Sequence, residues 1–235
     1  MSDLASPGAA RSDLARLEAE AVLLLEREWE AFAHDVFSMA TQALDGSVLL
    51  AAANPFAYTN VIARWRAGVK RLSELRGDIF THDVTLVLLE SDLPYHLHEA
   101  TREMLLEAQA EGWSQIKTRR RLSMMLTPSP RPRPGDPTYP DFKAQVRALG
   151  RTTATRNFNI KRLDELVMGG FRHKKWVAHH DERVRASHAN VDGTVVPLAG
   201  AFVVGGSMLS FPGDPAGPYH ETVNCRCVIV GARPS

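Results

Sequence analysis

Residues 176–227 read WVAHHDERVRASHANVDGTVVPLAGAFVVGGSMLSFPGDPAGPYHETVNCRC. Polar, reactive and turn-forming residues are dense in this stretch and sparse elsewhere. Both cysteines of the chain close it, as Cys225-Arg226-Cys227. Upstream stand His179, His180, Asp181, Arg183, Arg185 and His188, then Asp192-Gly193 and the turn Phe211-Pro212-Gly213-Asp214-Pro215. Short β-prone segments, Thr194 to Val196, Ala201 to Val204 and Cys227 to Val230, alternate with Gly193, Gly200, Gly205-Gly206 and Gly213. That texture predicts a small sheet of short strands joined by long turns.

Working outward, the rest reads as helix, so the fold class is α+β. Residues 1–11 are small and polar and are expected to be disordered. From Ser12, a plausible cap, Leu14, Leu17, Ala21, Leu24, Leu25, Trp29 and Phe32 recur at helical spacing as far as Asp45-Gly46. A second helix is expected after Asn54-Pro55, through Val61, Trp65 and Val69. The β-branched run at 81–90 is ambiguous, and its helical surroundings favour helix. Pro94 opens a further helix that Glu111-Gly112 ends, and Ser114 caps QIKTRRRLSMML. Residues 127–140 hold prolines at 128, 130, 132, 134, 137 and 140, which suits a linker or extended strap. Helix is expected from Asp141 past Arg156, and a separate helix from Ile160 to Val167 before Gly169-Gly170. The division is therefore an acidic helical region over 12–126, a proline-rich strap over 127–140 and a basic α+β domain over 141–235.

The 235 residues are 44% hydrophobic and 23% charged, an ordinary globular mix. No apolar run is long enough to cross a bilayer, and the N-terminus lacks the basic and apolar regions of a signal peptide. Two cysteines without an export signal point to a reducing compartment during folding. Charge is uneven. Residues 1–115 carry 9 Lys+Arg and 18 Asp+Glu, and the remainder carries 19 and 9. A basic half suits nucleic acid or an acidic protein face, and equally the two halves can face each other.

Four chemistries fit the closing stretch. Cys225, Cys227, His188 and one of His179, His180 or His220 have the makings of a Cys₂His₂ zinc site, since cysteines two apart on a strand face the same side. A Cys–His pair oriented by Asp192 or Asn224 would make a nucleophile. His188 and Glu221 with Arg183, Arg185 and Arg226 hold the parts of a metal-independent ribonuclease. The fourth reading is structural. Asp181 would cap a helix containing Arg183 and Arg185, Asp192-Gly193 and Asp214 would make turns, and buried Arg and His would staple long loops to a small sheet. A disulfide between Cys225 and Cys227 would close a strained ring.

The ordered set of pieces carries a resemblance. It consists of Trp176, Asp181-Glu182-Arg183-Val184-Arg185, Ser187-His188, Asp192-Gly193, Phe202, Phe211 to Pro215, Glu221 and Asn224-Cys225-Arg226-Cys227. Upstream, Ala148 to Asn157 looks like a helix of form A-x-x-R-T-E-x-x-x-x-N, with Arg151, Thr152 and Asn157 in place and Thr153 where an acidic residue is common. Gly112 to Gln115 looks like a G-x-S helix start. From about Glu107 to Val230 the chain resembles the C-terminal region of phage head-morphogenesis proteins of the Mu protein F-like group, also called minor head or minor capsid proteins. The resemblance implies a low-copy, non-enzymatic protein of the head interior or portal vertex, present in the host cytoplasm during assembly. It implies a role in procapsid assembly, DNA packaging or DNA delivery. Expected partners are the portal protein, the major capsid or scaffold protein and, without sequence preference, packaged DNA. No membrane and no cofactor are implied. Arg151, Thr152, Asn157, Trp176, Asp181, Arg185, His188, Gly193, Pro212, Asp214, Asn224, Cys225, Arg226 and Cys227 are the family-motif positions, read as structural.

Overall fold

A computed structural model describes residues 4–45, 58–81, 85, 88–126 and 139–233. The helices are α1 (Pro7–Asp45), α2 (Tyr58–Leu75), α3 (Leu93–Ala110), α4 (Gln115–Leu126), α5 (Phe142–Met168), α6 (Ala186–Val191) and α7 (Tyr219–Thr222). The strands are β1 (His173–Val177), β2 (Val195–Pro197), β3 (Phe202–Val204), β4 (Ser207–Leu209) and β5 (Val228–Ala232). The fold is α+β, with short antiparallel strands in small sheets. Among the described residues no helix is long and apolar enough to cross a membrane.

The caps explain the boundaries. Helix α1 begins at Pro7, ahead of the Ser12 start that apolar spacing predicts, and so takes in residues 7–11, expected to be disordered. Ser6 is the reason: its hydroxyl accepts the Ala9 N–H at 3.4 Å, and Pro7 follows with its φ already set for helix. Ser114 accepts the Lys117 N–H at 3.2 Å and opens α4. Asp141 accepts the Ala144 N–H at 2.8 Å and opens α5. One continuous α5 replaces the two helices expected over 141–167. Asn157 and Asn159 are poor helix formers, yet both side chains are spent on carbonyls and the backbone runs through them. The expected Pro55 start and the proline strap over 127–138 lie outside the described residues. In the 81–90 run, Thr85, Leu88 and Leu89 are helical.

Two compact units form. The first comprises Met1–Leu24, Asp78–Val84 and Arg147–Ser235; the second comprises Leu25–Gly77 and Thr85–Val146. These units interleave along the chain and do not follow the linear division at 127–140. The second unit is a helical assembly around Trp29, Phe32, Trp65 and Phe142, with ring centroids 5.3 to 6.0 Å apart. The Trp65 indole N–H donates to the Leu88 carbonyl at 2.9 Å, so its one polar atom is satisfied in the core.

The first unit holds the sheet, in the order β2-β1-β5. Strand β1 pairs antiparallel with both neighbours: Lys174 lies opposite Val196 and Gly231, and Trp176 opposite Ile229. A β3–β4 hairpin pairs Phe202 with Leu209. Neither β1 nor β4 was expected from the sequence. β1 reads HKKWV, too polar for a central strand, but Lys174 is buried and donates its ammonium to the Leu198 carbonyl at 2.6 Å. Two apolar clusters sandwich this sheet. Trp176, Val191, Phe202, Val204, Leu209 and Ile229 pack with Cys225 and Cys227. Ala10, Leu14, Phe158, Val177, Val228 and Val230 form the other.

Candidate functional site

The closing stretch folds around His188. Helix α6 carries Ser187 and His188, α7 carries Glu221, and the turn before β5 carries Cys225 and Cys227. His188 Nδ1 lies 3.3 Å from Cys227 Sγ and 3.6 Å from Cys225 Sγ. On the far side of the ring, Nε2 lies 3.0 Å from Glu221 Oε2, which also accepts the Ser187 hydroxyl at 2.8 Å. A carboxylate only accepts, so Nε2 holds the ring proton and Nδ1 turns a lone pair to the sulfurs. Trp176 meets the His188 ring edge-on at 5.5 Å between centroids. The group is sealed: His188 is 1% exposed, Cys225 1%, Cys227 2% and Glu221 5%.

The thiols are inequivalent. Cys225 donates to Cys227, which together with burial pushes the Cys225 pKa well up. Cys227 moves down, held chiefly by the Cys225 thiol. The buried Trp176 indole N–H makes no hydrogen bond of ordinary geometry, but its approach to Cys227 also favours the thiolate. Both cysteines are free.

The other sequence candidates go elsewhere. Arg185 donates to the Val223 carbonyl at 2.5 Å. Arg226 clasps Asp181 through two bonds of 2.7 Å, which raises its own pKa and holds the Asp181 carboxyl far below its usual range. Arg183 reaches the same carboxylate at 3.6 Å from an exposed position. His179 lies 3.4 Å from Asp181, and His180 lies 2.6 Å from Asp192. His220 is exposed, 3.8 Å from Glu221 Oε1. None of these three histidines joins the group around Cys225 and Cys227. The residue that orients His188 is Glu221; Asp192 instead accepts the Ala178 N–H at 2.7 Å, and Asn224 accepts from Arg151 at 2.9 Å. Asp181 shapes a turn by accepting the Arg183 N–H, and the helix starts at Ala186, beyond both arginines it was expected to contain. His188 and Glu221 thus do not form an exposed acid–base pair, and Arg185 and Arg226 are committed to other partners.

Residues 101–230 match the family described as Phage Mu protein F like protein. The chain belongs to that family. It is the head-morphogenesis group that the ordered motifs resemble. A curated relative of this Mu F-like chain, from Haemophilus influenzae and named "Uncharacterized protein", is 33% identical over 101 residues, 38% of this chain and 20% of the relative. The chain spans about a fifth of that relative's length. No solved structure matches.

Within the Mu F-like region, α5 reads out the loop that holds the cysteines. Arg151 bonds the Asn224 side chain, and the Thr152 hydroxyl accepts the Asn224 N–H at 2.9 Å. Asn224 sits at φ +51, a strained setting that these two bonds hold. Arg156 donates to the Gly213 carbonyl at 3.2 Å, and Asn157 to the carbonyls of Asp78 and Ile79. Asp214 folds its own turn by accepting the N–H groups of Ser210 and Ala216. Asn159 does more than any of these, and its sequence setting gave no sign of it. Fully buried, it shares its amide hydrogens among the carbonyls of Thr155, Pro212 and Cys227 and accepts the Ile229 N–H at 2.9 Å. Thr155, also unmarked in the sequence, bonds the Cys225 carbonyl at 2.5 Å.

Proposed function

We propose that this Mu F-like chain is a structural minor head protein of a tailed phage, held at the portal vertex or inner head, and that it acts in procapsid assembly, DNA packaging or DNA delivery rather than as an enzyme. One observation carries the reading. The polar residues that make up the family pattern are spent on one another and on backbone carbonyls inside a closed module, with His188 and Glu221 only 1% and 5% exposed. Such a lattice specifies a shape. The portal and the major capsid or scaffold proteins are the partners that family membership supports. The basic excess beyond residue 115, 19 Lys+Arg against 9 Asp+Glu, suits contact with DNA phosphates without base readout.

Co-expression with the portal, scaffold and major capsid proteins of the same phage tests this. The chain is expected in purified procapsids at a few copies per particle, and to be lost from particles assembled without portal. Procapsids that never contain it overturn the reading.

A further inference from the structure

We propose that His188, Cys225 and Cys227 bind one zinc ion, with Glu221 as the outer carboxylate that orients the histidine. The three ligand atoms lie within 4.8 Å of one another, on residues that are all buried. Zinc takes Cys sulfur at about 2.3 Å and His nitrogen at about 2.0–2.1 Å in a tetrahedron, so a sulfur-to-nitrogen edge measures about 3.6 Å. The two edges here are 3.3 and 3.6 Å. Little movement separates this arrangement from a coordinated one.

The surroundings fit the same chemistry. A histidine that ligates through one nitrogen commonly gives its other N–H to a carboxylate, which fixes ring and tautomer. Glu221 does this on Nε2 and leaves Nδ1 facing the sulfurs. Ser187 holds the Glu221 oxygen in turn, so the outer shell is itself anchored. Arg226, between the two cysteines, points away to Asp181 and does not compete. Two thiolates and an imidazole select a borderline-soft ion over magnesium or calcium. His179, His180 and His220 stand apart and are not among the ligands. Sealed in this way, the ion acts as a clip between α6 and the approach to β5, in a unit built largely of loops and short strands. The proposal rests on this geometry alone and holds whether or not the chain enters procapsids.

The test uses the whole chain, expressed with zinc, purified reduced without chelator and analysed for metal. About one zinc per chain is expected. Replacing it with cobalt should give the near-ultraviolet charge-transfer band that only thiolate ligands produce. Cys225→Ser with Cys227→Ser should remove metal and band together. Glu221→Gln should keep the stoichiometry and weaken affinity about 10- to 100-fold. Substoichiometric zinc together with no cobalt band in freshly reduced wild type overturns the proposal, as does full metal content in the double serine variant. If that variant does not fold, the wild-type cobalt spectrum decides alone.

Discussion

At the turn between β3 and β4 a single hydrogen stands where a methyl would collide with Glu221. A Cβ on Gly205 would lie 2.1 Å from Glu221 Oε1, and the backbone there has φ +55. Neighbouring Gly206 has φ +83 but open space around it. The pair separates strain from collision. Both alanine variants pay for a left-handed backbone, about 1–3 kcal/mol. Gly205→Ala must also push Glu221 off His188, and should lose at least about 1 kcal/mol more than Gly206→Ala in urea unfolding, along with the His188 Nε2 hydrogen-bond signal in imidazole NMR. Equal losses would show that the carboxylate swings away freely. At this scale the site was largely legible. His188, Glu221, Cys225 and Cys227 stand out in the sequence as reactive residue types within its closing stretch. Asn159 and Thr155 did not, since a mid-helix Asn or Thr looks like any other until its carbonyl partners, about 50 to 70 positions away, are placed beside it.

The joint of α1 with α5 within the first unit carries an acid that no sequence pattern marked. Glu18 on α1 lies 3.0 Å from the Thr155 hydroxyl, whose one hydrogen is also claimed by the Cys225 carbonyl. Burial raises the Glu18 pKa above its ordinary 4.5, outweighing Thr155 and the nearby arginines. A raised carboxyl pKa means the folded state binds its proton more tightly than the unfolded chain. The resulting stability is present at low pH and falls as pH rises from the ordinary carboxylate range through the folded pKa. Glu18→Gln keeps an acceptor for the Thr155 hydroxyl and removes the charge. Its melting temperature should exceed wild type at neutral pH and converge with it near pH 4; a lower value at neutral pH would reverse the sign assigned to Glu18. Helix boundaries were well marked where a cap residue stood, at Ser114 and Asp141. They shift where tertiary bonds outweigh propensity, as at 157–160.

For the whole molecule, the sequence suggests a cut at the proline strap, but the packing does not respect it. Leu14 and Ala10 of α1 share a core with Phe158, Val177, Val228 and Val230, and the Gly231 N–H donates to the Leu4 carbonyl at 2.9 Å. A fragment of residues 141–235 therefore lacks one wall of its own core. Burying one leucine contributes about 1.5–3 kcal/mol, so the fragment should melt lower than the intact chain and bind a hydrophobic dye. Adding residues 1–24 as a synthetic peptide should reverse both; a fragment as stable as the whole would show that α1 is dispensable.

Strand β5 pairs with β1 along its full length, and Val228, Ile229 and Val230 are 0% exposed. On the ribosome this sets an order of events. Helix α1 is made before β5, and nearly two hundred residues separate the end of one from the end of the other. Until residue 232 emerges, β1 offers a bare edge and the thiols have no lid. Translation time, as much as energy, then governs how long that edge is open to a wrong neighbour, and slow synthesis over 173–232 should be costlier to yield than slow synthesis anywhere earlier.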